Sequence, residues 1–188
     1  MKIRKLLLII GLFTLTHASP ITTLALADSV QAGITLTFPV ISQDPSNLHG
    51  YRGSIWYQPN IFTCKHFQLY FDAAYAHYRV NYSAWGTNSL SIYSVSPIAR
   101  FYFLDNSPKI RPFIDLSIGL SYLSKTRLAD RRFGTHFAFQ DLMSLGIVFG
   151  DKHQFTFSGS VIHYSNGSLA KTNAGITIPL LINVGYRF

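Results

Sequence analysis

The strongest constraint on this chain is an alternation of apolar with small or polar residues that recurs from about residue 30 to the C-terminus. Its clearest stretch, 114–122, alternates Ile, Leu and Tyr with Asp, Ser and Gly. Successive side chains of an extended strand point to opposite faces, so this period of two indicates strands with one apolar face. Helical spacing is hard to find along the chain. The sequence therefore predicts an all-β protein.

Eight candidate strands follow from this alternation and from the turn-forming residues between the alternating stretches. They span residues 30–40, 50–58, 65–80, 90–104, 111–124, 135–149, 154–165 and 176–188. Several exceed the about 9 to 11 residues with which a tilted strand crosses an outer membrane. One face is apolar and the other small or polar, which is typical of a barrel that faces lipid. We expect an eight-stranded antiparallel transmembrane β-barrel of the bacterial outer membrane.

The last candidate strand has the most regular alternation. Its even-numbered positions from Ile176 to Phe188 are all apolar or aromatic, whereas the odd-numbered positions include Thr177, Asn183 and Arg187. The sequence predicts that the even-numbered side chains share one face throughout. The aromatic ending also resembles the terminal signal recognised by the outer-membrane barrel assembly machinery, which we expect as a partner during insertion.

The first 27 residues have the features of a secretory signal peptide. Three basic residues stand in the first five positions, an apolar run follows over 6–15, and small residues lead to Ala27. We expect cleavage near Ala27, with Ala18 as the alternative site, and one barrel domain over 28–188. The apolar run is shorter than the about 20 residues of a membrane-spanning helix.

Composition agrees with a surface that largely avoids water. Charged residues make up 13% of the chain, against about a quarter in a soluble domain. Without the three basic signal residues, 13 Lys and Arg stand against 8 Asp, a net charge of about +5 that suits a phosphate-bearing partner. We expect no nucleic-acid partner. The lone Cys64, and the lack of zinc-like Cys and His spacing, predict no disulfide, no metal and no cofactor.

The connections support the same topology when both termini are placed in the periplasm. The connections then predicted to be periplasmic, 59–64, 105–109 and 150–153, are short and contain turn-forming residues. Those predicted to lie outside are longer, as in bacterial outer-membrane barrels, and span 41–49, 81–89, 125–134 and 166–175.

A histidine and a serine stand at the outer end of the seventh candidate strand. His163 and Ser165 continue the phase of Phe155, Phe157 and Val161, so we expect both to point outward, toward the lipid of the outer leaflet. A histidine within hydrogen-bond reach activates a serine hydroxyl as a nucleophile. An ester of the lipid A acyl chains would reach such a pair laterally. The alternative is that both are interfacial polar residues at the end of the apolar belt.

The loop after this strand contains candidate groups for stabilising an oxyanion. They are the side chains of Asn166 and Asn173 and the backbone N–H groups around Gly167 and Ser168. An H-x-S tripeptide by itself is a weak signal, so the spacing alone leaves the catalytic and the interfacial interpretations open.

Six stretches of the segment 94–188 carry a family resemblance and occur in order: SPIARFYF (96–103), RPFIDLSIGLSYLS (111–124), TRLADRRFGTHFAFQD (126–141), HYSN (163–166), NAGI (173–176) and VGYRF (184–188). With these stretches the segment resembles the lipid A 3-O-deacylase family, which are outer-membrane enzymes that remove the acyl chain ester-linked at the 3 position of lipid A. The stretches span about half of the chain, and the N-terminal half matches only in its alternation.

The resemblance implies an eight-stranded barrel whose catalytic site lies on its outer wall and faces the outer leaflet. It assigns Ser165 as the nucleophile, His163 as the base and Asn173 as an oxyanion-hole side chain. The family's backbone N–H donor falls on Ser168, with Gly167 just before it. The expected activity is that of a serine esterase acting on lipopolysaccharide.

One position departs from the family. The glutamate that orients the histidine falls on Thr177, which carries no charge, and the chain has no Glu. Asp141 in the neighbouring strand is a candidate replacement, and an interior or rim polar residue is its alternative interpretation. Because removal of the orienting acid lowers the activity of a triad by orders of magnitude without abolishing it, we expect a slow enzyme.

Other charged residues have less specific interpretations. Arg79 and Arg100 are predicted to pair with interior Asp72 or Asp115. A basic loop is predicted outside, where it binds lipid A phosphates or is simply solvated, and it contains Lys125, Arg127, Arg131 and Arg132.

Two rival functions stay open. The first is a non-enzymatic structural or adhesive barrel, a deacylase scaffold whose activity has lapsed. The second is an acyltransferase barrel, which requires catalytic groups that face the lumen. The sequence also leaves monomer and homodimer open.

Overall fold

The structure, a computed structural model, describes residues 31–43, 45–59, 63–81, 86–104 and 109–188. Its eight long strands are β1 (Gln31–Ile41), β2 (Leu48–Gln58), β3 (Phe67–Val80), β4 (Ser89–Tyr102), β5 (Ile110–Leu123), β6 (Phe137–Phe149), β7 (Phe155–Ser165) and β8 (Ile176–Arg187). Each predicted strand is confirmed, with ends displaced by at most two residues. Within these ranges no helix is long and apolar enough to span a membrane. The predicted signal peptide, 1–27, lies outside the described residues.

The strands form one closed antiparallel sheet. Each strand pairs with its neighbours in the chain, and β1 also pairs with β8, from Gly33 opposite Arg187 to Ile41 opposite Leu180. Closure leaves no row of unpaired backbone N–H and C=O groups, which apolar surroundings would not satisfy. The prediction of an eight-stranded antiparallel barrel is confirmed.

The outer wall of the barrel is apolar. Ile118 is 69% exposed, Ile55 65% and Leu145 64%, and outward Phe, Tyr, Val and Leu side chains surround them on every strand. So much exposed apolar area is unfavourable in water, whereas in a bilayer it contacts hydrocarbon. The sequence alternation therefore describes the outer wall correctly over most of the barrel.

The lumen is polar from the middle of the barrel to the end at which β1 begins, and it contains two buried ion pairs. Arg52 donates to Asp72 at 2.6 Å. Arg100 donates through two nitrogens to Asp115, at 2.8 and 2.9 Å. The predicted pairing of Arg100 is thus confirmed. The predicted pairing of Arg79 is wrong, because Arg79 is exposed and shares the outward face of β3.

The lumen at the opposite end is apolar, which the simple two-face pattern did not predict. Fully buried side chains from several strands pack there with Leu128 and Phe133 of the long connection 124–136. The strand residues include Leu48, Tyr78, Leu90, Ile92, Leu123, Ile162, Tyr164, Ile176, Ile178 and Leu181. Because the interior of a small barrel is filled by side chains, this cluster closes the lumen at the end that carries the long loops.

A β-bulge interrupts β8. Opposite Val161 of β7, the strand places two residues, Pro179 and Leu180. An extra residue reverses which face the following side chains occupy, and proline suits a bulge because it has no N–H to donate. Ile176 and Ile178 are consequently inside the barrel, whereas Val184 and Tyr186 are outside. The prediction that all even-numbered side chains of this strand share one face is wrong.

We predict that each buried ion pair is stabilising only as a pair. Asp72→Ala leaves the guanidinium of Arg52 without its partner and should lower the free energy of unfolding by about 3 to 5 kcal/mol. The double replacement Arg52→Met with Asp72→Leu should recover most of that loss. Urea titration of the barrel in lipid vesicles measures both, with exposed Lys152→Ala as the control. Equal stability of Asp72→Ala and the parent barrel would contradict the prediction.

Candidate active site

His163 and Ser165 lie on the outer wall at the end of β7 that is remote from the start of β1 and the end of β8. Both are half-buried and share the outward phase of exposed Phe155 and Phe157. The intervening Tyr164 points into the lumen and is fully buried. Same-face neighbours on a strand are about 6.5 to 7 Å apart at their Cα atoms. The imidazole and the hydroxyl are therefore close enough to meet through small side-chain movements.

Thr177 holds the ring of His163. The two residues are directly opposite each other across β7 and β8, and Nδ1 of His163 lies 2.8 Å from Oγ1 of Thr177. Thr177 can reach this ring only because the bulge at Pro179 and Leu180 turns its side chain outward. When Nδ1 donates its proton to Thr177, Nε2 carries the lone pair that can accept a proton.

Asp141 flanks His163 on the other side. It is opposite His163 across β6 and β7, is exposed, and shares the outward face of Phe139 and Met143. Directly opposite residues have Cβ atoms about 5 Å apart. The interpretation of Asp141 as an interior residue is therefore wrong. Among the described residues no hydrogen bond joins Asp141 to His163. The described residues also contain no group of three or more His, Cys, Asp or Glu side chains placed to hold a metal ion.

Gly175 provides the space that the imidazole occupies. Its φ is +63°, and a Cβ added there would lie 3.1 Å from Cε1 of His163 and 3.0 Å from the carbonyl oxygen of Tyr164. The glycine thus allows the loop to approach the ring closely. In the described residues no hydrogen bond joins His163 to Ser165, and such bonds often form only when substrate is bound.

Asn166 organises the loop 166–175. The residue is 1% exposed; Nδ2 donates to the carbonyl oxygens of Phe133 and Thr172, and Oδ1 accepts from the backbone N–H of Ser168. Its own backbone N–H donates to Oδ1 of Asn173 at 2.9 Å. The side-chain amide is therefore engaged within the protein. This anchoring role was missed by sequence reasoning, because the carbonyl of Phe133 belongs to a distant loop.

The remaining donors of the loop are more accessible. Asn173 is exposed, and its Nδ2 makes no hydrogen bond to the described residues, since the contact to Asn166 uses Oδ1. Gly167 and Ser168 have φ values of +61° and +65°, and Leu169 donates to the carbonyl of Asn166 at 3.1 Å. These features define a tight turn with left-handed central residues. Gly167 follows Ser165 by two residues in the chain, and its N–H makes no hydrogen bond to the described residues.

The basic loop packs against the loop of the site. The backbone N–H of Ala174 donates to the carbonyl of Arg132 at 2.9 Å, and Arg131 donates to the carbonyl of Ala174 at 3.2 Å. Within this connection Arg127–Leu128 pairs with Arg131–Arg132 as a short hairpin. Sequence reasoning placed the two loops at the same end of the barrel, and the structure joins them.

Comparisons with known proteins identify the family and the fold of the chain. A family model described as "Lipid A 3-O-deacylase (PagL)" matches residues 49–187. The lipid A deacylase PagL of Pseudomonas aeruginosa is 33% identical over 107 residues, which is 57% of this chain and 58% of that protein. The alignment therefore spans less than two thirds of that relative.

Two solved structures share the fold. The crystal structure of the outer membrane enzyme PagL aligns with a TM-score of 0.60 at 24% identity, covering 85% of this chain and 97% of the other. Neisserial surface protein A aligns with a TM-score of 0.50 at 16% identity, covering 85% and 96%. At these identities the likenesses establish the barrel architecture alone.

We predict that Asn166 determines the order of the loop 166–175. Asn166→Ala leaves the carbonyls of Phe133 and Thr172 without this donor, and the loss at the buried Phe133 carbonyl costs about 1 to 3 kcal/mol. Backbone amides of the loop should then exchange with deuterium at least tenfold faster, while those of β7 keep their rates. Lys171→Ala, an exposed change in the same loop, is the control. Unchanged exchange in Asn166→Ala would contradict the prediction.

Proposed function

This chain belongs to the lipid A 3-O-deacylase family, and we propose that it is an outer-membrane serine esterase that hydrolyses the 3-O-linked acyl chain of lipid A in lipopolysaccharide. The observation that carries the proposal is the row of polar groups on the lipid-facing wall. Ser165 lies beside His163, and Thr177 fixes the ring through Nδ1 at 2.8 Å. Polar side chains next to lipid are energetically unfavourable. Their presence on this wall therefore indicates a function.

The proposed reaction is acyl transfer to serine followed by hydrolysis. Nε2 of His163 accepts the proton of the Ser165 hydroxyl as the serine oxygen bonds to the ester carbonyl carbon. The imidazolium then gives this proton to the departing sugar oxygen, so the ester bond breaks and an acyl-enzyme forms. Water, deprotonated by the same ring, releases the 3-hydroxy fatty acid and regenerates Ser165. The steps require no metal or organic cofactor.

The negative charge on the carbonyl oxygen needs donors near Ser165. Nδ2 of Asn173 and the backbone N–H of Gly167 supply them in the proposed mechanism, since neither is engaged by other described groups. The N–H of Ser168 becomes a donor only when it leaves Oδ1 of Asn166. Asn166 is therefore a positioning residue in this proposal, because it holds the side chain of Asn173 through a backbone hydrogen bond.

Thr177 orients His163 but supplies no negative charge to stabilise an imidazolium. A neutral hydrogen bond is weaker than one to a carboxylate, so the proposed enzyme is slow relative to one with an acid at this position. Asp141 is the alternative source of charge, because it is opposite His163 on the same wall. Its contribution is electrostatic across about 5 Å rather than a fixed hydrogen bond.

The substrate reaches the site through the membrane. The long connections 124–136 and 166–175 lie at one end of the barrel, and the start of β1 and the end of β8 lie at the other, which is the arrangement of outer-membrane barrels with periplasmic termini. In that orientation the site faces the outer leaflet, where lipopolysaccharide resides. Insertion would use the barrel assembly machinery, and both a monomer and a homodimer are compatible with an outward site.

A non-enzymatic barrel is the second candidate, and the uncharged Thr177 favours it. In that case the outward polar row would be a remnant of a deacylase whose activity has lapsed. An acyltransferase with a luminal site agrees less well with the structure, because His163 and Ser165 are both on the outer wall.

We predict that Ser165→Ala abolishes release of 3-hydroxy fatty acid from lipopolysaccharide. The measurement is mass spectrometry of lipid A after incubation with the purified barrel in detergent. A fluorophosphonate probe should label the parent protein at Ser165 and should not label the variant. Ser46→Ala, an exposed serine in the connection between β1 and β2, is the control and should retain activity and labelling. A folded parent protein that leaves lipid A unchanged would support the non-enzymatic candidate.

We predict that the residue at position 177 controls kcat. Thr177→Val removes the hydrogen bond to His163 but keeps the side-chain shape, and should lower kcat by about fivefold, since such a bond contributes about 1 kcal/mol. Thr177→Glu supplies a charged acceptor and should raise kcat by about tenfold. Neither change should alter KM or thermal stability.

Asp141→Asn distinguishes the two orienting candidates. If Thr177 is the main orienting group, Asp141→Asn changes kcat by less than about threefold, because its charge acts without a hydrogen bond. A larger loss in Asp141→Asn than in Thr177→Val would assign the orienting role to Asp141 instead.

A further inference from the structure

A second polar cluster lies on the outer wall, at the same end of the barrel as His163. His49 and Arg79 are exposed and opposite each other across β2 and β3, and Arg79 is in turn opposite Ser89 of β4. Nζ of Lys125 lies 3.4 Å from Oγ of Ser89. His49, Arg79 and Lys125, with His77 below Arg79, form a basic patch across three strands and one loop.

Hydrogen bonds hold Arg79 in this patch. Its Nε donates to Nε2 of His77 at 3.1 Å, and Nδ1 of His77 lies 3.0 Å from Oγ of Ser91. Nε2 of His77 must therefore be the acceptor, so Nδ1 carries the proton and donates to Ser91. Among the described residues no carboxylate pairs with Arg79 or Lys125. The terminal guanidinium nitrogens of Arg79 are thus positioned and available to an anion.

A belt of tyrosines lies directly below the basic patch. The ring centroids of Tyr51 and Tyr75 are 6.2 Å apart, those of Tyr75 and Tyr93 5.3 Å, and those of Tyr93 and Tyr122 6.5 Å. Outward tyrosines of a membrane barrel mark the level of the lipid headgroups. Arg79 and Lys125 are therefore at the height at which lipid phosphates lie.

An apolar groove continues from the tyrosines toward the centre of the barrel wall. Small residues, Gly53 and Ala73, line it together with larger side chains such as Leu36, Val95 and Leu120, and its volume is about 770 Å³. A second apolar depression shares Ile55, Ala73, Val95 and Leu120 with it and extends it further. The wall beneath the basic patch therefore offers an apolar surface to acyl chains.

We propose that this wall is a binding site for a phosphorylated, multiply acylated glycolipid, with a phosphate on Arg79 and Lys125 and the acyl chains in the groove. Such a lipid matches the wall in two respects. Its phosphate complements the positive charge above the tyrosine belt, and its acyl chains cover the apolar area below the belt. The site is separate from the catalytic row, because β3 and β7 are on opposite sides of an eight-stranded barrel. Binding at this site depends on lipid in the outer leaflet and does not depend on catalysis by Ser165.

Native mass spectrometry of the barrel in detergent with purified bis-phosphorylated lipid A tests the proposal. The parent for this experiment is Ser165→Ala, which prevents turnover. We expect two retained lipid A molecules on this protein, and one after Arg79→Gln is combined with Lys125→Gln. The affinity for the lost molecule should fall more than tenfold, since both basic groups that attract its phosphate are removed. Both side chains are exposed, so the barrel should stay folded.

Two controls test whether the charges of the basic patch retain the lipid. Lys152→Gln removes one charge at the opposite end of the barrel and should leave two lipids bound. Lipid A without phosphates, but with the same acyl chains, should occupy the wall much more weakly. Fatty-acid release by the protein that retains Ser165 is measured in a separate assay, so failure of the proposed activity and failure of this site are distinguishable.

Three results would overturn the proposal. One is equal retention by the double variant and its parent, and another is equal retention of phosphorylated and dephosphorylated lipid A. The third is efficient disulfide cross-linking between two copies that carry Ala73→Cys in a Cys64→Ser background. That result would assign the wall to a second copy of the chain.

Discussion

The pairing of β1 with β8 is the constraint on which the rest of the structure depends. Every backbone N–H and C=O group that faces hydrocarbon must find a partner within the protein, and only a closed sheet supplies partners for both edge strands. Closure gives the barrel an inside and an outside, so each alternating strand has two different environments. The apolar outer wall, the ion pairs of the lumen and the outward position of His163 all follow from it.

The bulge in β8 is the second decisive feature, because it changes the face of one segment without opening the sheet. Pro179 and Leu180 oppose Val161 alone, so Thr177 faces outward while Asn183 faces the lumen. Without the extra residue, Thr177 would not share a wall with His163. The polar row of the candidate site is therefore a product of irregular pairing, in keeping with the frequent occurrence of bulges next to active sites.

Sequence reasoning predicted more of the fold than of the site. The eight strands and the outward phase of β7 followed from a local period of two, which requires no knowledge of distant contacts. The faces of Ile176 and Ile178 were predicted wrongly, because a bulge depends on the register between two strands. The role of Asn166 and the outward position of Asp141 also depend on neighbours far away in the chain.

The sequence by itself determined an all-β barrel with an apolar outer wall and with His163 and Ser165 on one face of a strand, because side-chain direction in a strand repeats every two residues. The six sequence stretches within residues 94–188 carried the resemblance to lipid A 3-O-deacylases. Only the tertiary structure decided which groups surround that pair. Strand register places Asp141 and Thr177 on either side of His163, and the packing of two long loops fixes Asn173. The physical reason is that hydrogen bonds and contacts between distant segments form only after closure sets the register of all eight strands.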